Sequence, residues 1–164
     1  MQRTRRTRVF TAALTVAAVP ALAACGGFNA VTTRPYAPAD GALANSGDIR
    51  VQNILVVAAE GSTTGVVSTA IANRGNRSER LLGMTSPQGT VNLTGNGALP
   101  ANSSVSLGSG TDLSATVTGL TATPGRTVRL VLTFAHAQPL TIDTLVVQQS
   151  GYYASITAPA PSPS

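Results

Sequence analysis

Arg126-Thr127-Val128-Arg129-Leu130-Val131-Leu132-Thr133-Phe134-Ala135-His136 sets Val128, Leu130, Leu132 and Phe134 on one side and Arg129, Val131 and Thr133 on the other. Successive side chains of a strand point to opposite faces, so a period of two marks a strand with one buried face. The same signal recurs on either side. Asp48 to Ala58 carries Ile49, Val51, Ile54, Val56 and Val57, with a slip of the alternation near Asn53 that suggests a bulge. Thr64 to Asn73, Glu79 to Thr85, Thr90 to Thr94, Ser103 to Gly108, Leu113 to Leu120 and Thr141 to Gln148 complete the set. Gly95-Asn96-Gly97 and Pro124-Gly125 supply turns between them. Eight short strands with almost no helix signal predict an all-β domain. The expected architecture is an antiparallel β-sandwich of the immunoglobulin-like kind.

Outward from this domain, residues 48–156, the composition changes. The chain has 164 residues, eleven of them basic and six acidic, with one Cys and one His. All the basic residues are Arg, and Arg3, Arg5, Arg6 and Arg8 lie ahead of the apolar run Val9 to Val19. A basic start, a short apolar stretch and a small-residue cleavage zone make residues 1–24 a secretory signal peptide. Val9 to Ala24 is too short for a bilayer span of about 20 residues, and Pro20 interrupts it. Arg5-Arg6 also matches the pair of a twin-arginine signal, though Arg8 stands where such signals carry an apolar residue.

Leu22-Ala23-Ala24-Cys25 resembles the bacterial lipobox. That resemblance implies a diacylglyceryl group on Cys25, cleavage before it, and anchoring to the outer face of the cell membrane. Residues 25–47 then read as a flexible tether, and residues 157–164, rich in Pro and Ser, as a disordered tail. Past residue 24, seven arginines face six acids, a net charge of +1. Arg74, Arg77 and Arg80 cluster, but Glu79 interleaves them, so a basic stripe for nucleic acid is not expected. The expected partners are the membrane, through the lipid on Cys25, and an envelope protein.

Several pieces in order resemble the periplasmic copper-chaperone family PCuAC, in particular its lipoprotein members. They are Asp48 to Asn53, Val66 to Asn73, Glu79 to Pro87, Leu99-Pro100-Ala101, Gly119-Leu120 and Arg129 to Phe134. The resemblance covers about residues 48–148 and implies a cupredoxin-like β-sandwich. It also implies where Cu(I) ligands would stand: two His and two Met, soft donors suited to Cu(I). Aligned on Gly119-Leu120, Ser114 falls at the second His and Thr116 at its Met, while the first His falls at Leu93 or Thr94. Hydroxyls are poor ligands for Cu(I), so the family's copper site is expected to be absent and no cofactor is expected.

Substitute ligands are few. Past the signal peptide there is one Met, Met84, in an apolar strand where filling the core is its ordinary role, and one His, His136, at a strand end. A copper chaperone with a non-standard site would need these two to approach within about 6 Å, or a partner's ligands. Catalysis is not expected. A Ser-His-Asp arrangement would need His136 with Asp143, no Gly-x-Ser-x-Gly elbow exists, and Gly108-Ser109-Gly110-Thr111 lacks the Lys of a phosphate-binding loop. Three Asn-x-Ser/Thr triplets, at Asn76, Asn92 and Asn102, read as turn chemistry. The aromatic pair Tyr152-Tyr153 is expected either to pack on a sheet edge or to mark a contact surface. The function expected from these features is that of a non-catalytic, membrane-anchored binding domain.

Overall fold

All eight predicted segments are strands in the computed structural model, which describes residues 40–158. The signal peptide 1–24, Cys25, most of the expected tether and the tail from residue 159 lie outside the described residues. The strands are β1 Ala42–Ser46, β2 Ile49–Ala58, β3 Thr64–Asn73, β4 Glu79–Thr85, β5 Thr90–Thr94, β6 Ala98–Leu99, β7 Ser103–Leu107, β8 Ser114–Thr118, β9 Thr127–Phe134 and β10 Leu140–Gln148. Two of them, β1 and β6, are not among the expected eight.

β1 shortens the tether expected over residues 25–47. Ala42–Ser46 is an ordered strand antiparallel to β2, with Ala44 opposite Val51 and Ser46 opposite Ile49. Its short Ala, Asn and Ser side chains have low strand propensity, which hid it in the sequence. Backbone pairing with β2 recruits it, Ala42 and Ala44 pack on the core, and the Ser46 hydroxyl donates to the Gln138 carbonyl at 2.7 Å.

The ladder runs β5-β8-β3-β2-β10-β9-β4-β6, with β1 also on β2 and β7 also on β3. It curls so that β5, β8, β3, β2 and β1 face β10, β9, β4 and β6 across one core. Every named pair is antiparallel except one: Val146–Gln148 of β10 run parallel to Val56–Ala58 of β2. The first part of β10, Leu140–Leu145, pairs instead with Thr127–Leu132 of β9. One strand therefore belongs to both layers and joins them.

The core follows the expected faces. Val128, Leu130, Leu132 and Phe134 are all buried in it, with Ile49, Val51, Ile54, Val56, Val67, Ile71, Leu81, Leu99, Ala115 and Val117. Each fully buried Leu, Ile or Phe side chain stabilises by about 1.5–3 kcal/mol relative to exposure. This single cluster lies wholly within the compact unit Ala39–Ser164, so the unit carries its own core.

The slip at Asn53 is a bulge. Asn53 has φ +52, and the β2–β3 register shifts between Gln52 and Leu55. A one-residue shift turns every later side chain to the other face. Ile54, Val56 and Ala58 therefore join Ile49 and Val51 inside, while Leu55 and Val57 turn outward. The carbonyls the bulge frees are answered by buried hydroxyls: Thr69 donates to Gln52 at 2.9 Å, and Thr144 donates to Ile54. The outward pair is covered in turn. Tyr153 and Ile156 pack on Leu55, Val57 and Val147, after a 3-10 turn at Gly151–Tyr153. The Tyr153 hydroxyl donates to Asp40 Oδ2 at 2.7 Å, and that bond, with partial burial, pushes its pKa up to about 12. Tyr152 meets Tyr153 edge-on and points into solvent, 89% exposed.

Candidate functional site: the arginine-bearing end of the sandwich

The nominated metal ligands do not meet. Met84 is 3% exposed, inside the core opposite Leu132, where its thioether fills space. The His136 ring is 80% exposed, beside Glu79 at the start of β4. The five residues from Glu79 to Met84 span about 16 Å of strand, too far for one ion to take both side chains. Among the described residues no group of three or more His, Cys, Asp or Glu could hold a metal ion. Asp143 is not the partner of His136 either. It lies across from Arg129 and takes a bidentate pair of bonds from it, at 2.8 and 3.0 Å. No Ser or Thr hydroxyl bonds to His136 among the described residues, so no nucleophile–base pair is formed there.

Ser114 and Thr116 stand on the outer face of β8, with Ala115 and Val117 turned into the core. Ser114 lies directly opposite Thr94 of β5, and Thr116 opposite Asn92. Cross-strand neighbours have Cβ atoms about 4.5–5.5 Å apart. Thr94 and Ser114, two of the positions aligned with family histidines, are thus side by side on β5 and β8. They present hydroxyl groups.

A cleft of about 510 Å³ opens at the end of the sandwich where β1 turns into β2, β3 leaves and β4 enters. Asp48, Arg77, Ser78, Glu79 and His136 line it. A smaller one of about 260 Å³, walled by Arg80, Leu99 and Pro100, lies on the far side of Glu79 and His136. Two side chains whose structural role the sequence did not show shape this end. Asn73, buried, donates through Nδ2 to the carbonyls of Arg77 at 2.7 Å and Leu99 at 3.0 Å, and accepts from the Gly75 N–H at 3.0 Å. It thereby fixes the β3–β4 loop and ties β6 to it.

Glu79 is the second. Its carboxylate, in a side chain 8% exposed, accepts from the backbone N–H groups of Arg80 at 2.7 Å, Ala135 at 3.0 Å, His136 at 3.0 Å and Ala137 at 2.8 Å. His136 Nδ1 lies 3.3 Å from Oε1. Burial opposes its ionisation, but the hydrogen bonds from Arg80, Ala137 and His136 favour it and win, so the carboxyl titrates below its ordinary value. A carboxyl lowered on folding stabilises the fold above its ordinary pKa, and that contribution fades as pH falls through the lowered value. Glu79→Gln is therefore expected to cost about 1 kcal/mol at neutral pH and to flatten the acid side of the stability profile, read by thermal melts from neutral pH downward. An unchanged acid limb would contradict this. Backbone N–H groups leave no residue signature, and only the spacing Asn73-x-Gly75 hinted at a tight loop.

Residues 49–146 match the LpqE-like lipoprotein family. The chain belongs to the LpqE-like family. No curated protein matches it in sequence. Among solved structures, the LpqE-like domain is similar to the copper-bound PCuAC domain from PmoF2, with TM-score 0.59 and 22% identity over 65% of this chain and 98% of that one. The apo PCuAC domain from PmoF1 gives TM-score 0.60 and 16% identity over 65% of this chain and 99% of that one. The apo PmoF2 PCuAC domain gives 0.57 and 21%, over 71% and 100%. The LpqE-like domain thus has the fold that its sequence pieces implied. Among the described residues, no helix is long and apolar enough to cross a membrane.

Proposed function

We propose that this LpqE-like chain is an extracytoplasmic lipoprotein, anchored to the outer face of the cell membrane through a lipid on Cys25, whose β-sandwich is a non-catalytic binding domain for an envelope protein. One observation carries the reading of the domain: Ser114 and Thr116 offer hydroxyls, and Leu93 or Thr94 no imidazole, where the PCuAC resemblance puts soft ligands. Among the described residues the His136 ring meets Glu79 and no hydroxyl, which supports a binding role over a hydrolytic one. The lipobox Leu22 to Cys25 and the lipoprotein family match support the anchor.

A competition titration of residues 39–164 against a Cu(I) chelator tests the domain reading, and no sub-micromolar Cu(I) affinity is expected. Tight binding abolished by Met84→Ala with His136→Ala would replace it with a copper chaperone using a non-standard site. Fractionation of cells making Cys25→Ser tests the anchor, and the expected result is release of the chain from membranes.

A further inference from the structure

We propose that the arginine-bearing end of the domain docks on the anionic phospholipid headgroups of the membrane that carries it. The inference rests on the anchored reading above. Arg50, Arg74, Arg77 and Arg80 are all exposed and belong to this end because β2 begins there, β3 ends there and β4 begins there, with Ile49 opposite Asn73. None of the four is in an ion pair among the described residues, whose salt bridges are Arg129–Asp143 and His136–Glu79.

The interleaved Glu79 keeps its charge but does not stand beside them at the surface as the sequence suggests. Its carboxylate is turned inward onto four backbone N–H groups, away from the solvent that the guanidinium groups face. This end thus carries four arginines against Asp48 and the buried Glu79. The rest of the described chain carries Arg126 and Arg129 against Asp40, Glu60, Asp112 and Asp143. The domain is polarised, basic at one end and acidic elsewhere. A negatively charged surface would turn the basic end toward itself.

The span also fits. Fourteen residues lie between Cys25 and Asp40, a maximum reach of about 50 Å over the fifteen Cα–Cα steps. β1 starts level with Ile54, about 17 Å along β2 from the arginine-bearing end. That end can therefore reach the bilayer that holds the lipid. Each unit of charge near an anionic surface changes binding about fivefold, so four Arg against Asp48 and Glu79, a net charge of +2, give about 25-fold. Such a contact is weak for a free domain. It becomes effective once a tether raises the local concentration to about millimolar.

The test uses residues 39–164, which contain the whole core and lack Cys25, so its result is independent of anchoring. Flotation with phosphatidylglycerol-containing vesicles is expected to capture the domain at low salt, and pure phosphatidylcholine vesicles to leave it free. Arg77→Gln with Arg80→Gln should weaken capture about 25-fold, fivefold for each charge. Arg126→Gln, at the other end, should change it by less than about twofold. Equal capture by neutral vesicles, no capture by anionic ones, or equal losses for both variants would overturn the proposal. So would displacement by inorganic phosphate at constant ionic strength, which would indicate a discrete phosphate site. Loss of vesicle binding with release of Cys25→Ser from membranes would refute the docking alone; retention of Cys25→Ser on membranes after a high-salt wash that breaks the headgroup contact would refute the anchor.

Discussion

Replacing Asn73 with leucine is expected to lower the stability of the domain by about 3 kcal/mol, a fall in Tm of about 10–20 °C, measured by thermal or denaturant unfolding. The side chain is 2% exposed and uses both ends of its amide. Leucine has nearly the same volume, so packing alone would be almost neutral. It cannot donate to the carbonyls of Arg77 and Leu99 or accept from the Gly75 N–H. Each buried polar group left without a partner costs about 1–3 kcal/mol, and the Leu99 carbonyl bond is wholly buried. Asn92→Leu is the comparison. Asn92 is exposed on β5, and its change should stay within about 0.5 kcal/mol. Equal effects at the two sites would mean that Asn73 does not hold the loop.

Gly97→Ala is expected to be of similar size, again about 3 kcal/mol, by a different route. Gly97 has φ +64, a conformation costing a non-glycine residue about 1–2 kcal/mol. A Cβ there would also lie 2.1 Å from the Leu81 carbonyl oxygen. The two backbones cannot easily separate, because the Leu81 N–H donates to the Gly97 carbonyl at 2.8 Å and β4 pairs with β6 beside it. Gly110→Ala isolates the first contribution. Gly110 has φ +72 and nothing within 4 Å of the added carbon, so only the conformational cost of about 1–2 kcal/mol applies. Equal losses at the two glycines would show that the close approach to Leu81 is relieved at no cost.

What was legible in the sequence was what side-chain patterning encodes. The alternation of Val128, Leu130, Leu132 and Phe134 reported both the strand and its buried face. The break in alternation at Asn53 reported the bulge, because the slipped register shows up as two polar residues, Gln52 and Asn53, between the inward Val51 and Ile54. β1 was not legible, since Ala42, Ala44 and Ser46 are too small to signal burial. Neither was the parallel β2–β10 pair. Thr141 to Gln148 reads as one strand, and nothing local says that its last three residues change partner. On β5 and β8 the resemblance pointed to Leu93 or Thr94 and to Ser114, and only the register showed Thr94 beside Ser114. Glu79 was misread as a surface charge among arginines because its partners are main-chain groups brought together from β4 and the turn after β9.

The double membership of β10 has a consequence for how the domain is made. Thr144 and Ile54, which it joins, are 90 residues apart in the chain. Contacts of such long range form late and slowly, because much chain must be ordered before any of them is gained. A chain emerging N-terminus first can pair β1, β2 and β3 locally, but it has no complete second layer until Gln148 is out. Until then the core lacks Ile142 and Val146 and the two layers are not joined, so an incomplete chain is exposed to aggregation. The last strand acts as a checkpoint on completeness. Truncation before it leaves no shortened version of the fold.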